Sequence, residues 1–129
     1  MTSFSGEIYV KVDDVKGSVV KPAAYVGWIA ASSITWPGGD SLRGGRISGK
    51  FFPDFTDGTV YLTCTSGLHT PSLLHSAAQG RHIKSIQIHL IHPKITIRAL
   101  IEDVLVAVRL KSDRTEEVEF AAAKGTASR

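Results

Sequence analysis

Hydrophobic and polar residues alternate in short runs along most of this chain. In residues 7–13, Ile8, Val10 and Val12 fall on one side while Glu7 and Lys11 fall on the other. This two-residue period is typical of a half-buried strand. Similar runs recur between turn-forming residues. The strands predicted in this way are residues 7–13, 25–30, 33–36, 46–52, 59–64, 84–90, 95–101, 104–110 and 117–120.

The run over residues 104–110 departs from simple alternation, because Val, Leu and Ala follow one another with almost no polar residue between them. Such a run predicts a strand that is buried on both faces. A helix is the competing interpretation, which the density of β-branched residues disfavours. Beyond the last predicted strand, residues 126–129 are expected to form a frayed tail.

One segment has the marks of a short helix. Thr70 is a suitable N-cap residue, and Pro71 then falls at the first helical position, where its missing N–H has no consequence. Gly80 can take the left-handed conformation that ends a helix. The sequence therefore predicts an α-helix at about residues 71–79, whose large apolar side chains, Leu73 and Leu74, pack onto the sheet.

Composition sets the class of protein. The 129 residues suit one domain, residues 1–129, and a net charge of +3 is too small and too evenly spread to indicate nucleic-acid binding. Cys64 is the single cysteine, so no intrachain disulfide can form. The start of the chain lacks the pattern of a signal peptide, and no apolar run reaches the length of a membrane span. We expect a mostly β protein, a barrel or sandwich, that folds in the cytoplasm and does not insert into membranes.

The glycine-rich residues 44–50 match most of a phosphate-binding loop. The match fails at Phe51, which stands where a hydroxyl residue would hold Mg²⁺, and at Pro53, because a strand pattern follows in place of a helix. A loop followed by a strand is the better interpretation of this segment.

The remaining candidates for chemistry are the histidines, the cysteine and one pair of carboxylates. His69 and His75 flank the helix start and His89 and His92 lie three apart, but neither pair has an acidic residue at ligand spacing. His82 can interact with the last carbonyls of the helix. Cys64 with His69 could make a nucleophile and base, although one cysteine on a strand more often acts as a small apolar residue. The adjacent Glu102 and Asp103 are expected on opposite faces of a strand, so they cannot act as one pair. These residues predict no enzyme, no metal and no cofactor.

Several short motifs occur in a fixed order along nearly the whole chain. They are Gly49-Lys50, Asp54-Phe55, Thr70-Pro71, Leu73, Ala78 and residues 80–83, with residues 33–36 before them and 101–106 after them. Together they resemble the Hcp family, the inner-tube proteins of bacterial type VI secretion systems. The chain departs from the family pattern at Cys64 and at residues 67–68, where the family usually carries lysine and an Asp-Lys pair. It is also shorter after Trp36.

The resemblance implies a β-barrel made of two antiparallel sheets with one flanking helix. It also implies homohexameric rings that stack into a tube, carry effector proteins in the lumen, contact spike and sheath components, and are secreted without a cleaved signal peptide. A phage-like or extracellular contractile-injection tail tube and a small-ligand-binding β-barrel are the alternatives. A loop at residues 37–45 is expected to mediate stacking between rings, through Asp40, Ser41, Leu42 and Arg43.

Overall fold

The computed structural model describes residues 2–36 and 59–128. Within these two segments the chain forms six strands, one short 3₁₀ turn and one α-helix. In chain order they are β1 (Thr2–Val12), the 3₁₀ turn (Ala23–Tyr25), β2 (Ile29–Trp36), β3 (Thr59–Thr65), α1 (Thr70–Gln79), β4 (Ile83–His92), β5 (Ile95–Leu110) and β6 (Thr115–Ser128).

The six strands close into an antiparallel barrel in the order β1-β2-β3-β6-β5-β4. β4, β5 and β6 follow one another as a meander, whereas β3 pairs with β6 from far away in the sequence. The predicted β-barrel with one flanking helix is therefore confirmed, as one closed circuit of strands. The long-range pairing of β3 with β6 sets Cys64 opposite Glu116.

Large apolar side chains fill the interior of the barrel. Every strand contributes alternate residues to this core, which is what a two-residue period produces. Each fully buried aliphatic side chain stabilises the fold by about 1.5–3 kcal/mol relative to an exposed position. The largest fully buried side chains are Trp36, Phe120, Ile8, Ile34, Leu62, Leu73, Ile86, Ile88, Leu90 and Ile97.

The helix α1 lies against β5 and covers part of the barrel. Leu73 joins the core at 1% exposure, while Leu74 is half-buried. Gly80 ends the helix in the left-handed conformation, at φ 61°, as predicted. The N-cap prediction was wrong: His69 is the N-cap residue, and the Thr70 hydroxyl accepts a hydrogen bond from the Gly67 N–H instead. The hydroxyl is drawn away because it also donates to a buried carboxylate on β6.

The segment before β2 differs from its predicted strand. Residues 25–30 were expected to be extended, but the chain forms the 3₁₀ turn and then bends at Gly27, whose φ is +84°. This is a conformation that favours glycine. The Trp28 N–H donates to the Tyr25 carbonyl across this bend, so the strand starts only at Ile29 and continues through the predicted strand at residues 33–36.

Three expectations about the last strands were wrong. Residues 104–110 are not buried on both faces, since Val104 and Val106 face the core while Leu105 is 41% exposed. Glu102 and Asp103 do not lie on opposite faces; both are exposed, because Asp103 takes φ +55° and interrupts the alternation. Residues 126–128, which were expected to be frayed, belong to β6, and Ser128 pairs with Arg98 of β5.

The described residues include no helix with the length and apolarity needed to cross a bilayer.

Candidate functional site

A polar cluster is buried at one end of the barrel, beneath the start of α1. Within residues 2–36 and 59–128, His69 and Glu116 are the buried polar side chains, at 2% and 0% exposure. Cys64, at 2% exposure, lies beside them. Buried ionisable groups are costly unless they are paired, so their arrangement points to a specific role in structure or in binding.

Three separate elements bring these side chains together. Cys64 and Glu116 are register partners on β3 and β6, and both point inward with the apolar residues of their strands. His69 follows a tight turn after β3, in which the Thr70 N–H donates to the Gly67 carbonyl at 3.1 Å. This turn places the imidazole of His69 next to Cys64, near the end of β3 and just before α1.

The sulfur of Cys64, a ring nitrogen of His69 and a carboxylate oxygen of Glu116 all lie within 4.8 Å of one another. The His69 Nε2 atom is 2.5 Å from Glu116 Oε1 and 3.6 Å from Cys64 Sγ. The Cys64 thiol donates to the same Oε1 atom at 3.6 Å. The Ser66 and Thr70 hydroxyls donate to the other carboxylate oxygen, Oε2, at 3.1 Å and 3.0 Å.

The environment of Cys64 opposes nucleophilic chemistry. Burial raises the pKa of the thiol to about 12, with further contributions from the negative charge of Glu116 and from the hydrogen bond to it. The geometry points the same way. In a relay of nucleophile, base and acid, the acid orients one ring nitrogen while the nucleophile uses the other. Here both Cys64 and Glu116 face Nε2 of His69, and Nδ1 has no hydrogen-bond partner among the described residues.

The structure thus brings together the predicted pair Cys64 and His69, and adds a residue that the sequence analysis missed. His69 and His75 have no acidic residue at ligand spacing along the sequence, and Glu116 reaches His69 from a strand far along the chain. A signal was available: Glu116 is in phase with the inward-facing Val118 and Phe120, so a two-residue period places a carboxylate in the core.

The other histidines have ordinary surroundings. His75 is exposed on α1, and His92 Nδ1 accepts a hydrogen bond from the Lys94 N–H. His82 Nδ1 is 2.6 Å from Asp103 Oδ1, a pair in which both side chains are more than half exposed. Such an exposed pair adds little to stability.

His89 belongs to a partly exposed aromatic cluster on the outside of the barrel. The Tyr25 hydroxyl lies 2.9 Å from His89 Nδ1, and the Tyr25 ring stacks on Tyr9 with centroids 4.2 Å apart. Trp28 contacts both Tyr25 and His89. Partial burial lowers the pKa of His89, and the positive charge of Arg98 lowers it further.

Several predictions concern residues outside the described part of the chain. They are the stacking loop at residues 37–45 with Asp40, Ser41, Leu42 and Arg43, the glycine-rich residues 44–50, the strand at residues 46–52 and the motif Asp54-Phe55.

No protein-family model matches the chain, and no curated protein matches it. Solved structures do match. A type VI secretion system effector from Yersinia pestis has a TM-score of 0.71 at 20% identity, over 93% of this chain and 87% of that one. Hcp1 from Salmonella typhimurium has a TM-score of 0.71 at 16% identity, over 96% and 86% of the two chains. A mutant form of Hcp1 from the E. coli EAEC 042 pathovar has a TM-score of 0.65 at 20% identity, over 95% and 89%.

The chain has the Hcp fold. The match runs through nearly the whole of this chain and most of each compared chain, so it concerns the complete barrel and not one shared hairpin. The resemblance identified from the sequence motifs is confirmed at the level of fold.

Proposed function

We propose that this chain is the structural subunit of a type VI secretion inner tube. The observation that carries the proposal is the shared fold with Hcp proteins over nearly the whole chain. In this proposal six copies form a ring, and the rings stack into a tube with effector proteins in its lumen. The tube assembles in the cytoplasm, contacts spike and sheath proteins, and is secreted.

The filled barrel supports a structural role over a small-ligand carrier. A carrier barrel needs an enclosed apolar cavity, whereas Trp36 and Phe120 are fully buried inside this one among aliphatic side chains. The environment of the cysteine supports the same choice against an enzyme, because a buried thiol with a pKa of about 12 is a poor nucleophile.

The outer face of β5 and β6 offers a surface for a second copy. Leu105 is 41% exposed there and is the register partner of the exposed Ala121. Ala107 and Ala123, two residues along on each strand, are exposed on the same face. This face also carries Asp103 and Glu119, so Leu105 and the alanines form a small apolar area beside charged residues. A neighbouring subunit that covered this area would remove it from water. We propose that this face forms part of the contact between ring subunits.

The test is the particle formed by purified protein. Electron microscopy should show closed rings, and light scattering should give the mass of six chains. Leu105→Glu should dissociate the rings into monomers that keep the parent's circular dichroism spectrum. Gln87→Glu, which adds the same charge at an exposed position on β4, should leave the rings intact. A parent protein that stays monomeric across a wide concentration range contradicts the proposal.

Ring stacking is proposed to depend on Asp40, Ser41, Leu42 and Arg43. The support is the resemblance, in which a longer loop projects at this point. Deletion of residues 38–43 should leave rings intact while abolishing tubes and secretion. Rings that fall apart into monomers on this deletion would assign the loop to the lateral contact instead.

A further inference from the structure

We propose that Cys64, His69 and Glu116 bind one divalent transition-metal ion, for which zinc is the best match. Thiolate, imidazole and carboxylate are the three protein ligands that zinc uses. The inference is separate from the tube proposal, since it depends on three side chains inside one barrel and not on assembly.

The donor atoms converge on a point, which is the arrangement that a metal ion requires. Tetrahedral zinc holds sulfur about 3.5 Å from a nitrogen or oxygen ligand, and holds nitrogen about 3.3 Å from oxygen. Cys64 Sγ is 3.6 Å from both His69 Nε2 and Glu116 Oε1. The third separation, 2.5 Å between Nε2 and Oε1, is a hydrogen bond that the ion would replace. These two atoms need to move apart by about 0.8 Å.

The carboxylate is already oriented for one-oxygen coordination. The Ser66 and Thr70 hydroxyls both donate to Glu116 Oε2, which leaves Oε1 directed at the thiol and the imidazole. Outer hydrogen bonds of this kind fix ligand orientation in metal sites and contribute to metal affinity. Glu116 is fully buried, and in the described segments His69 is the one basic side chain within salt-bridge distance of it. A divalent cation would place a positive charge beside this buried carboxylate.

A cleft lies beside the cluster, and His69 is the one member of the cluster that lines it. A cavity of about 390 Å³ lies between the segment after β1 and the end of β3, and its lining includes Ser18, Lys21, Thr65, Ser66 and His69. His69 itself is 98% buried, and its Nδ1 atom has no hydrogen-bond partner among the described residues. Nδ1 is the ring nitrogen that would carry the proton once Nε2 binds the ion. The cleft is therefore the side from which an ion would enter, past the imidazole of His69.

Binding balances with the release of one proton. In the metal-free protein Glu116 accepts hydrogen bonds from Cys64, Ser66 and Thr70. A carboxylate that only accepts places the proton of its contact with His69 on Nε2, and we assign that tautomer. When the ion binds, the thiol proton leaves to solvent and sulfur coordinates as thiolate. The imidazole exchanges its proton from Nε2 to Nδ1 through solvent, which frees the Nε2 lone pair. Glu116 coordinates as the carboxylate.

The experiment uses cobalt(II) and zinc(II) ions with full-length protein stripped of metal by a chelator. Cobalt should bind at one ion per chain, with a sulfur-to-cobalt charge-transfer band and the strong visible bands of tetrahedral geometry. Zinc should bleach these bands and raise the melting temperature. Release of one proton per zinc ion should be measurable by calorimetry in buffers of different ionisation enthalpy.

Substitutions connect these signals to the cluster. Cys64→Ser should abolish the charge-transfer band and weaken zinc binding by more than about tenfold. Glu116→Gln, which keeps the size of the side chain, should keep the charge-transfer band if any cobalt binds but lose tetrahedral intensity and affinity. If that variant fails to fold, Cys64→Ala serves in its place, because alanine is small and apolar. His75→Gln is the matched control: it removes an exposed histidine and should change nothing.

Two outcomes would overturn the proposal. The first is the absence of both a charge-transfer band and a zinc-dependent melting shift in the parent protein. The second is equal zinc affinity in the parent and Cys64→Ser proteins, which would assign the ion to surface histidines.

Discussion

Gly17 lies where one backbone segment touches another. A Cβ atom at this position would come within 2.2 Å of the Trp28 carbonyl oxygen, which is far inside any tolerated contact. The approach is close because the Gly17 N–H donates to the Gly27 carbonyl at 2.7 Å and the Val19 N–H donates to the Trp28 carbonyl at 3.1 Å. These bonds hold the segment after β1 against the start of β2, where it forms one wall of the cleft beside His69.

Gly17→Ala should therefore destabilise the protein. The methyl group must displace backbone atoms, so we expect a loss of about 1–3 kcal/mol in the free energy of unfolding. Urea denaturation followed by circular dichroism measures it. Lys16→Ala, at the exposed neighbouring position, should stay within about 0.5 kcal/mol of the parent. Equal stability of the two variants would mean that the two segments are not in close contact.

The thiol of Cys64 should be unreactive in the folded, metal-free protein. It is 2% exposed and donates a hydrogen bond to a carboxylate, so an alkylating reagent can neither reach it nor find it as thiolate. Iodoacetamide labelling followed by mass spectrometry should be slow in buffer and fast in urea. Labelling at the same rate in both conditions would contradict the burial of this side chain.

At the scale of elements, alternation located the strands well but could not find where alternation breaks. The alternation of buried and exposed side chains breaks at the same height on two paired strands. Two successive side chains face away from the core at residues 84–85 of β4 and at residues 102–103 of β5. The positive φ of Asp103 produces this change on β5. An isolated sequence carries no mark of it, because aspartate is also an ordinary exposed residue. The expectation for Glu102 and Asp103 was wrong for this reason. The expectation for residues 104–110 was wrong for another: alternation resumes there, and the outward-facing residues such as Leu105 are exposed although they are apolar.

The helix provides a prediction at the same scale. Leu73 fits into the core, whereas Leu74 on the next position around the helix is only half-buried. Leu73→Ala should lower the free energy of unfolding by roughly 2–5 kcal/mol, because it leaves a cavity between α1 and the barrel. Leu74→Ala is the matched control and should have a clearly smaller effect. Chemical denaturation measures both, and two variants as stable as the parent would show that α1 is not docked through Leu73.

At the scale of the whole molecule, long-range pairing decides what the sequence can reveal of the site. Cys64 and His69 are five residues apart, so the sequence alone suggested that the two side chains could lie close together. Glu116 joins them only because β3 pairs with β6 across the closed barrel. No local pattern states which strands are neighbours, although the motif order that resembles Hcp did point to the correct barrel. The fold was thus within reach. For Glu116, the two-residue period indicated a buried carboxylate but not that Cys64 and His69 would be its neighbours.

The stability of the whole barrel should decline in mild acid, in part through His89. Burial and the charge of Arg98 lower the pKa of His89 in the folded protein below its usual value of 6.5. The unfolded chain therefore takes up a proton more readily than the folded one. Stability from this group is complete above about pH 6.5 and is lost as the pH falls through the lowered folded pKa.

His89→Gln, which cannot be protonated, should flatten the decline in unfolding free energy between about pH 7.5 and pH 5. His75→Gln, at an exposed position, should leave the profile unchanged. Urea titrations at each pH provide the measurement. A profile for His89→Gln as steep as the parent's would assign the acid sensitivity to other groups.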